Sequence, residues 1–261
     1  MKYSVCAPAV FGGNVKTPGI SGDKVDSCLA VIRKAGYSAY EFWSWWNQDV
    51  EKILSEQEAN GLYPAALCTR FISLTDPELR EAYIEGLEET IGVAKKLGAK
   101  TIISQVGNER VGVPREEQHE SIVNGLRAAA PLLKEAGMTL VIEPLNTKID
   151  HKGYYLWESA EAYEIVDEVA SPNVKVLFDL YHQYIMDDLK IEEILKNMDR
   201  IGHFHMAGYP GRHEPYTDCE IDYDAVLTAI RDSGYAGYVG LEYFPLRDAE
   251  TGLRELTALL P

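Results

Sequence analysis

The 261-residue chain predicts a single α/β domain, a (β/α)8 TIM barrel, on three observations. Short apolar, β-rich runs alternate with helix-periodic stretches along the whole length. Glycines recur where many of those stretches end. No Pro/Ser-rich linker, charge block or low-complexity tract divides the sequence, so residues 1–261 read as one domain. Eight βα units of roughly 31 residues each fill a barrel of this length and leave no room for a second domain. A doubly wound open sheet is the alternative arrangement of the same alternation.

In chain order, YSVCAP (3–8) is the first strand-like run, followed by a helical pattern over 24–35 that closes at the glycine of RKAGY. AYEFW (39–43) leads to 47–60, closed by EANGLY. YPAALC (63–68) leads to 76–97, where Thr75-Asp76-Pro77 supplies a cap residue and an early proline. Within that stretch Leu79, Tyr83, Leu87, Ile91 and Ala94 recur every three or four residues, and KKLGAK ends it. TIISQV (101–106) precedes 115–136, which stops at KEAGM. TLVIEP (139–144) precedes 158–170, and VKVLFD (174–179) precedes 189–198. IGHFHM (201–206) precedes 223–233, closed by RDSGY, and YVGLEY (238–243) precedes 247–259. Glycine suits these helix ends because it enters the left-handed conformation without a Cβ clash.

An apolar share of 46% is enough for a large core, and no run of about 18 apolar residues offers a membrane span. The opening MKYSVCAPAVFGGN meets polar residues and glycines before an apolar h-region forms, so no signal peptide is expected. Cys6, Cys28, Cys68 and Cys219 are far apart and form no C-x-x-C pair. They read as reduced thiols of a soluble, cytoplasmic protein. The net charge of −16 repels phosphate backbones, which argues against a nucleic-acid partner. An anionic small substrate would need a local cationic clamp.

Chemistry is expected where apolar strands end on polar residues, because a TIM barrel gathers its active site at the C-terminal ends of its strands. LVIEPLNT (140–147) is the plainest case: three apolar residues, then a carboxylate and a proline. TLVIE ends on Glu143, VLFD on Asp179, GHFH on His205 and VGLE on Glu242. Their separations of 36, 26 and 37 residues are each close to one βα repeat, so the four side chains should converge on one half of the mouth. Three carboxylates and an imidazole together call for a divalent cation to offset their repulsion. This oxygen-rich set suits Mn²⁺, Mg²⁺ or Co²⁺, and Zn²⁺ is also compatible. Glu41 closes the second strand across the barrel, either as a substrate contact or as a structural group. Asn108 and Glu109, in SQVGNER, follow the fourth strand at the mouth, and Asn108 is a candidate substrate contact. Phe42, Trp43, Trp45, Trp46, Tyr154, Tyr155 and Trp157 follow the second and fifth strands, as cavity wall or as packing.

The segments EPLNTKIDHKGYYL (143–156), DLYHQYIMDDL (179–189), HFHMAGYPGRHEP (203–215), EIDYDAV (220–226) and GYVGLEY (237–243) together resemble the hydroxypyruvate isomerases. These belong to the xylose-isomerase-like TIM-barrel superfamily, which also holds ketose 3-epimerases and endonuclease IV. The resemblance implies that Glu143, Asp179, His205 and Glu242 hold the metal and that Glu143 and Glu242 move protons on opposite sides of the substrate. It implies that His182 contacts substrate oxygens and that Arg212, in GRHEP, lies near the substrate, where its fork could bind a carboxylate. His213 and Glu214 read as loop scaffold or as site. His205 departs from the pattern, since that position is often Gln in bacterial hydroxypyruvate isomerases and His in the ketose epimerases. The implied reaction is enediolate proton transfer that interconverts small hydroxy-carbonyl acids of the hydroxypyruvate and tartronate semialdehyde type. A ketose 3-epimerase, a 2-oxo-tetronate isomerase and a non-catalytic sugar-binding barrel are the rival readings. Members of the superfamily commonly dimerise or tetramerise, so a homo-oligomer is the family-level expectation.

Overall fold

The structure, a computed structural model, describes residues 1–12, 20–216 and 218–260. Among these, β1 (Lys2–Cys6), β2 (Ala39–Phe42), β3 (Tyr63–Cys68), β4 (Thr101–Ser104), β5 (Thr139–Ile142), β6 (Val174–Asp179), β7 (Ile201–Met206) and β8 (Tyr238–Leu241) form a closed barrel in sequence order. Neighbours are parallel throughout, and β8 closes on β1 by pairing Tyr3 with Val239 and Ser4 with Gly240. The helices, numbered in chain order, are α1 (Ala7–Gly12), α2 (Val25–Lys34), α3 (Val50–Asn60), α4 (Arg80–Leu97), α5 (Arg115–Ala136), α6 (Ser159–Val169), α7 (Leu180–Ile185), α8 (Ile191–Lys196), α9 (Tyr223–Asp232) and α10 (Ala249–Thr257).

Gly36, Gly61, Gly98, Gly137 and Gly234, the residues that close the helical patterns, all have positive φ. Asp76 caps a short 3-10 turn, Pro77–Leu79, that leads into α4, and its side chain accepts from the Glu78 amide at 3.1 Å. Two short helices depart from the sequence reading. The apolar run after β1 coils into α1 at Ala7 instead of continuing to residue 8 as strand, burying Ala7, Ala9, Val10 and Phe11. A short apolar run carries no period that separates buried strand from buried helix. Helix α7 follows β6 without a loop, capped by Asp179, and the pattern at 189–198 narrows to α8.

Strand alternation divides the core in two. Outward residues such as Phe178 and Phe204 pack under the helices in one large apolar cluster, with Leu29 and Leu126. Inside the barrel, Ala66, Cys68, Ile103, Val141 and Leu177 form a small separate apolar cluster. It covers only the β3–β6 arc. The opposite arc carries Ser4, Glu41, His203, His205 and Gly240, and the four polar residues among them are buried. Among the described residues no helix is long and apolar enough to cross a membrane.

Leu177 is fully buried in the small inner cluster, where few side chains can close over a gap. Leu177→Ala is expected to lower the unfolding free energy by about 3 kcal/mol, read as a reduced midpoint in urea.

Candidate active site

Asp179 ends β6, His205 lies one residue from the end of β7, and Glu143 and Glu242 are the first residues beyond β5 and β8. Each of the four offers one ligand atom within 4.8 Å of the others, and all four are buried. Glu143 Oε1 and His205 Nδ1 are buried without a hydrogen-bond partner, and the two stand 3.5 Å apart. Unpaired buried polar atoms are rare, and an O₃N set aimed at one point fits a divalent cation. The four residues are therefore those that could hold one.

The remaining oxygens are held by the protein. Glu242 Oε1 accepts from Trp43 Nε1 at 2.7 Å, and its Oε2 accepts from Arg212 Nη2. Asp179 Oδ1 caps α7, accepting from the amides of Tyr181 (2.8 Å) and His182 (3.2 Å). That leaves Asp179 Oδ2 toward His182 Nε2, 3.5 Å away.

His182 is set by Asn146. The Asn146 side-chain oxygen accepts from the amides of Ile149 (3.1 Å) and Asp150 (3.0 Å), so its NH₂ must face the other way. That NH₂ lies 2.6 Å from His182 Nδ1, and the Asn146 backbone N–H lies 3.3 Å from it. Both are donors, so Nδ1 accepts and the ring proton sits on Nε2, which is buried without a hydrogen-bond partner. Burial, reinforced by the Arg212 charge, pushes His182 well below the usual imidazole range. It is a neutral N–H donor on the wall of the cavity.

The cavity over these residues has a volume of about 770 Å³. Trp43, Phe71, Leu145, Tyr154 and Phe244 form its apolar wall, and Glu143, His182, Arg212 and Glu242 its polar floor. Asp76, Asn108, Glu109 and Arg110 line the far side. The loop that carries Asn108 to Arg110 is pinned by the buried Gln118, which accepts from the Arg110 amide (2.7 Å) and donates to the carbonyls of Arg110 (3.2 Å) and Val113 (2.9 Å).

Glu41 is not part of the cavity wall. It lies inside the barrel, hydrogen-bonded to Ser4, His203 and His205. Of the aromatics flagged by position, Trp43 and Tyr154 line the cavity, while Phe42, Trp45 and Tyr155 are buried core. Phe71 and Phe244 line it without having stood out in the sequence. Glu214 is scaffold: its carboxylate accepts from the amides of Leu246 and Arg247, and His213 Nδ1 lies 2.9 Å from the Phe244 carbonyl.

Residues 29–260 match the xylose isomerase-like TIM barrel family. The chain belongs to that family. It is 34% identical over 238 residues to hydroxypyruvate isomerase of Escherichia coli (strain K12), covering 87% of this chain and 91% of the relative. It is 29% identical over 238 residues to 2-oxo-tetronate isomerase of Cupriavidus necator, covering 86% and 89%. A solved structure described as AP endonuclease, family 2, from Brucella melitensis superposes with a TM-score of 0.90 over the full length of both chains, at 25% identity. The likeness to hydroxypyruvate isomerases that the motifs carried thus extends over most of the chain, and the chain is an enzyme of the isomerase class.

Charge at the mouth of this family barrel is finely balanced. Burial, with Glu143 and Glu242 beside it, pushes Asp179 up to about 7 despite the opposing pull of Arg212 and His205. Burial works against a charge on His205, but Glu242 and Glu41 outweigh it and raise its proton affinity. A metal ligand must shed such protons, so the bound form is favoured by higher pH. Apparent Mn²⁺ affinity is expected to rise by about tenfold or more per pH unit below 7 and less steeply above it, where Asp179 is already ionised and His205 still sheds its proton, measured by calorimetric titration between pH 5.5 and 8.5. Affinity that is flat across this range would show that Asp179 and His205 do not bind the ion.

Proposed function

We propose that this chain isomerises a small hydroxy-carbonyl acid of the hydroxypyruvate and tartronate semialdehyde type, moving a proton through an enediolate. The observation that carries the reading is a four-residue ligand set with two unpaired buried atoms, on the floor of a closed-barrel cavity, in a chain similar to two isomerases of such acids. Glu143, Asp179, His205 and Glu242 would hold a divalent cation, Mn²⁺, Mg²⁺ or Co²⁺ with Zn²⁺ compatible, whose bound charge would polarise the carbonyl and offset the enediolate.

The side chains do the rest. Glu143 and Glu242 come from β5 and β8, either side of the cluster, and one takes the proton from carbon while the other serves the opposite face. Glu143 Oε1 is unpaired and suited to accept a proton, whereas Glu242 is held by Trp43 and Arg212. The His182 Nε2–H donates to a substrate oxygen without adding charge. Arg212 is buried, and its Nε has no hydrogen-bond partner, so part of the guanidinium fork remains for a substrate carboxylate while Nη2 serves Glu242. Trp43, Tyr154 and Phe244 exclude water from the enediolate.

A cavity of about 770 Å³ exceeds what a three-carbon acid fills, and its far side carries polar groups at Asp76, Asn108 and Arg110. That favours a longer polyhydroxy chain, a 2-oxo-tetronate or a ketose, as the second reading, with Asn108 as a contact to distal hydroxyls. A net charge of −16 opposes a nucleic-acid substrate. The buried free thiols Cys6, Cys28 and Cys68 fit the cytoplasm.

In D₂O, the Mn²⁺-loaded protein is expected to exchange the proton next to the carbonyl of hydroxypyruvate and to form the aldehyde isomer, followed by proton NMR. Glu242→Gln should slow both by about a thousandfold, and a chelator should abolish them. Turnover of a 2-oxo-tetronate or of D-fructose alone would move the chain to the second reading. No exchange with any of the three, despite bound metal, would overturn the enediolate chemistry.

A further inference from the structure

Glu41 is a buried carboxylate in the barrel interior, beneath the four-residue cluster, and both of its oxygens are engaged by polar side chains. Its Oε2 lies 2.9 Å from His205 Nε2, and its Oε1 lies 3.0 Å from His203 Nε2 and also accepts from Ser4 Oγ. An ionised carboxylate only accepts, so both imidazoles must present an N–H at Nε2.

For His205 this decides which nitrogen is left. Its Nδ1 is the atom that stands 3.5 Å from Glu143 Oε1 and 3.6 Å from Glu242 Oε2, with no hydrogen bond of its own. Room for the contact comes from β8. Gly240 is paired with His205, and a Cβ there would meet Glu41 Oε1 and His205 Cδ2, each at 2.6 Å. No side chain fits between the carboxylate and the ring.

We propose that Glu41 is a positioning residue for the metal: across the gap left by Gly240 it fixes the His205 ring with its proton on Nε2 and its Nδ1 lone pair toward Glu143, Asp179 and Glu242. His203 and Ser4 occupy the other Glu41 oxygen and keep the carboxylate from turning. The proposal rests on the reading that the cluster holds a divalent cation. Carboxylate partners of this kind orient a histidine ligand and raise its basicity, and their loss weakens metal binding by about 10- to 100-fold.

The test compares Mn²⁺ affinity in the wild type, Glu41→Gln, His203→Gln and Gly240→Ala by calorimetry, with circular dichroism and thermal unfolding as checks on the fold. Glu41→Gln keeps the shape but can turn an amide donor toward His205 Nε2, which would move the ring proton to Nδ1. It is expected to bind Mn²⁺ about 10- to 100-fold more weakly while remaining folded. His203→Gln, which leaves the Glu41–His205 contact intact, is expected to stay within about threefold of the wild type. In the diamagnetic Zn²⁺ form, nitrogen-15 NMR should show the His205 proton on Nε2 in the wild type. Unchanged Mn²⁺ affinity in a folded Glu41→Gln, or a wild-type His205 proton on Nδ1, would overturn the proposal while leaving the metal reading intact. A wild type that binds neither ion would sink the metal reading itself, and this inference with it. Gly240→Ala, if folded, should weaken binding as Glu41→Gln does; wild-type affinity there would show that the gap is not needed.

Discussion

Three buried carboxylates that converge within 4.8 Å at the base of the cavity are the constraint on which the rest of the mouth depends. Left alone, such groups repel one another and resist ionisation. Arg212 meets part of this from the loop after β7. Burial works against its charge, yet Glu242, Asp179, Asp150 and Glu143 hold it firmly cationic. The rings of Tyr181 and Phe244 lie 5.3 and 5.5 Å from its guanidinium carbon, so it is confined as well as paired. Asp179 shows what is left over, since one arginine and one imidazole do not neutralise three acids. A divalent cation is the remaining partner that the donor set suits.

The constraint reaches below the mouth. A TIM barrel interior is ordinarily filled with bulky aliphatic side chains, and here only one arc is. The other arc is given to Ser4, Glu41, His203 and His205, a network whose isolated members would each be costly to bury. Joined through Glu41, it leaves His205 Nδ1 as the atom without a hydrogen-bond partner, turned to the cluster. Gly240 belongs to this economy of space, because it supplies to β8 the absence of a side chain that the network requires. The apolar arc and the polar arc therefore divide the labour of the barrel, one filling volume and the other aligning a ring.

Much of the fold was legible because parallel strands and glycine-capped helices leave strong local marks. The residues at 143, 179, 205 and 242 could be picked out because each breaks an apolar run at about one repeat from the last. What stayed hidden depends on partners far away in sequence. Glu41 lies more than 160 residues from both imidazoles that define its part, and nothing local separates it from a substrate contact. Asn146 lies within EPLNT, but its hold on the His182 tautomer depends on which way its amide faces, which only the turn at Ile149 and Asp150 decides. Phe71 and Phe244 sit in loops without periodicity, where sequence gives no sign of direction. The α1 and α7 helices were missed for a different reason: each is a single six-residue segment directly abutting a strand, too short to display a 3.6-residue period.

Asp179 occupies two posts at once. Its Oδ1 closes the first turn of α7 and thereby seats His182, and the same carboxylate supplies a ligand atom to the cluster. The group that would grip the ion and the group that would touch the substrate thus hang from a single carboxylate, and their spacing is set by one turn of backbone. The two are linked traits: a change at position 179 disturbs both together, while the loops that carry Asn108 and Phe71 lie outside that coupling. A barrel wired this way can change its substrates by its rim and keep its chemistry by its floor.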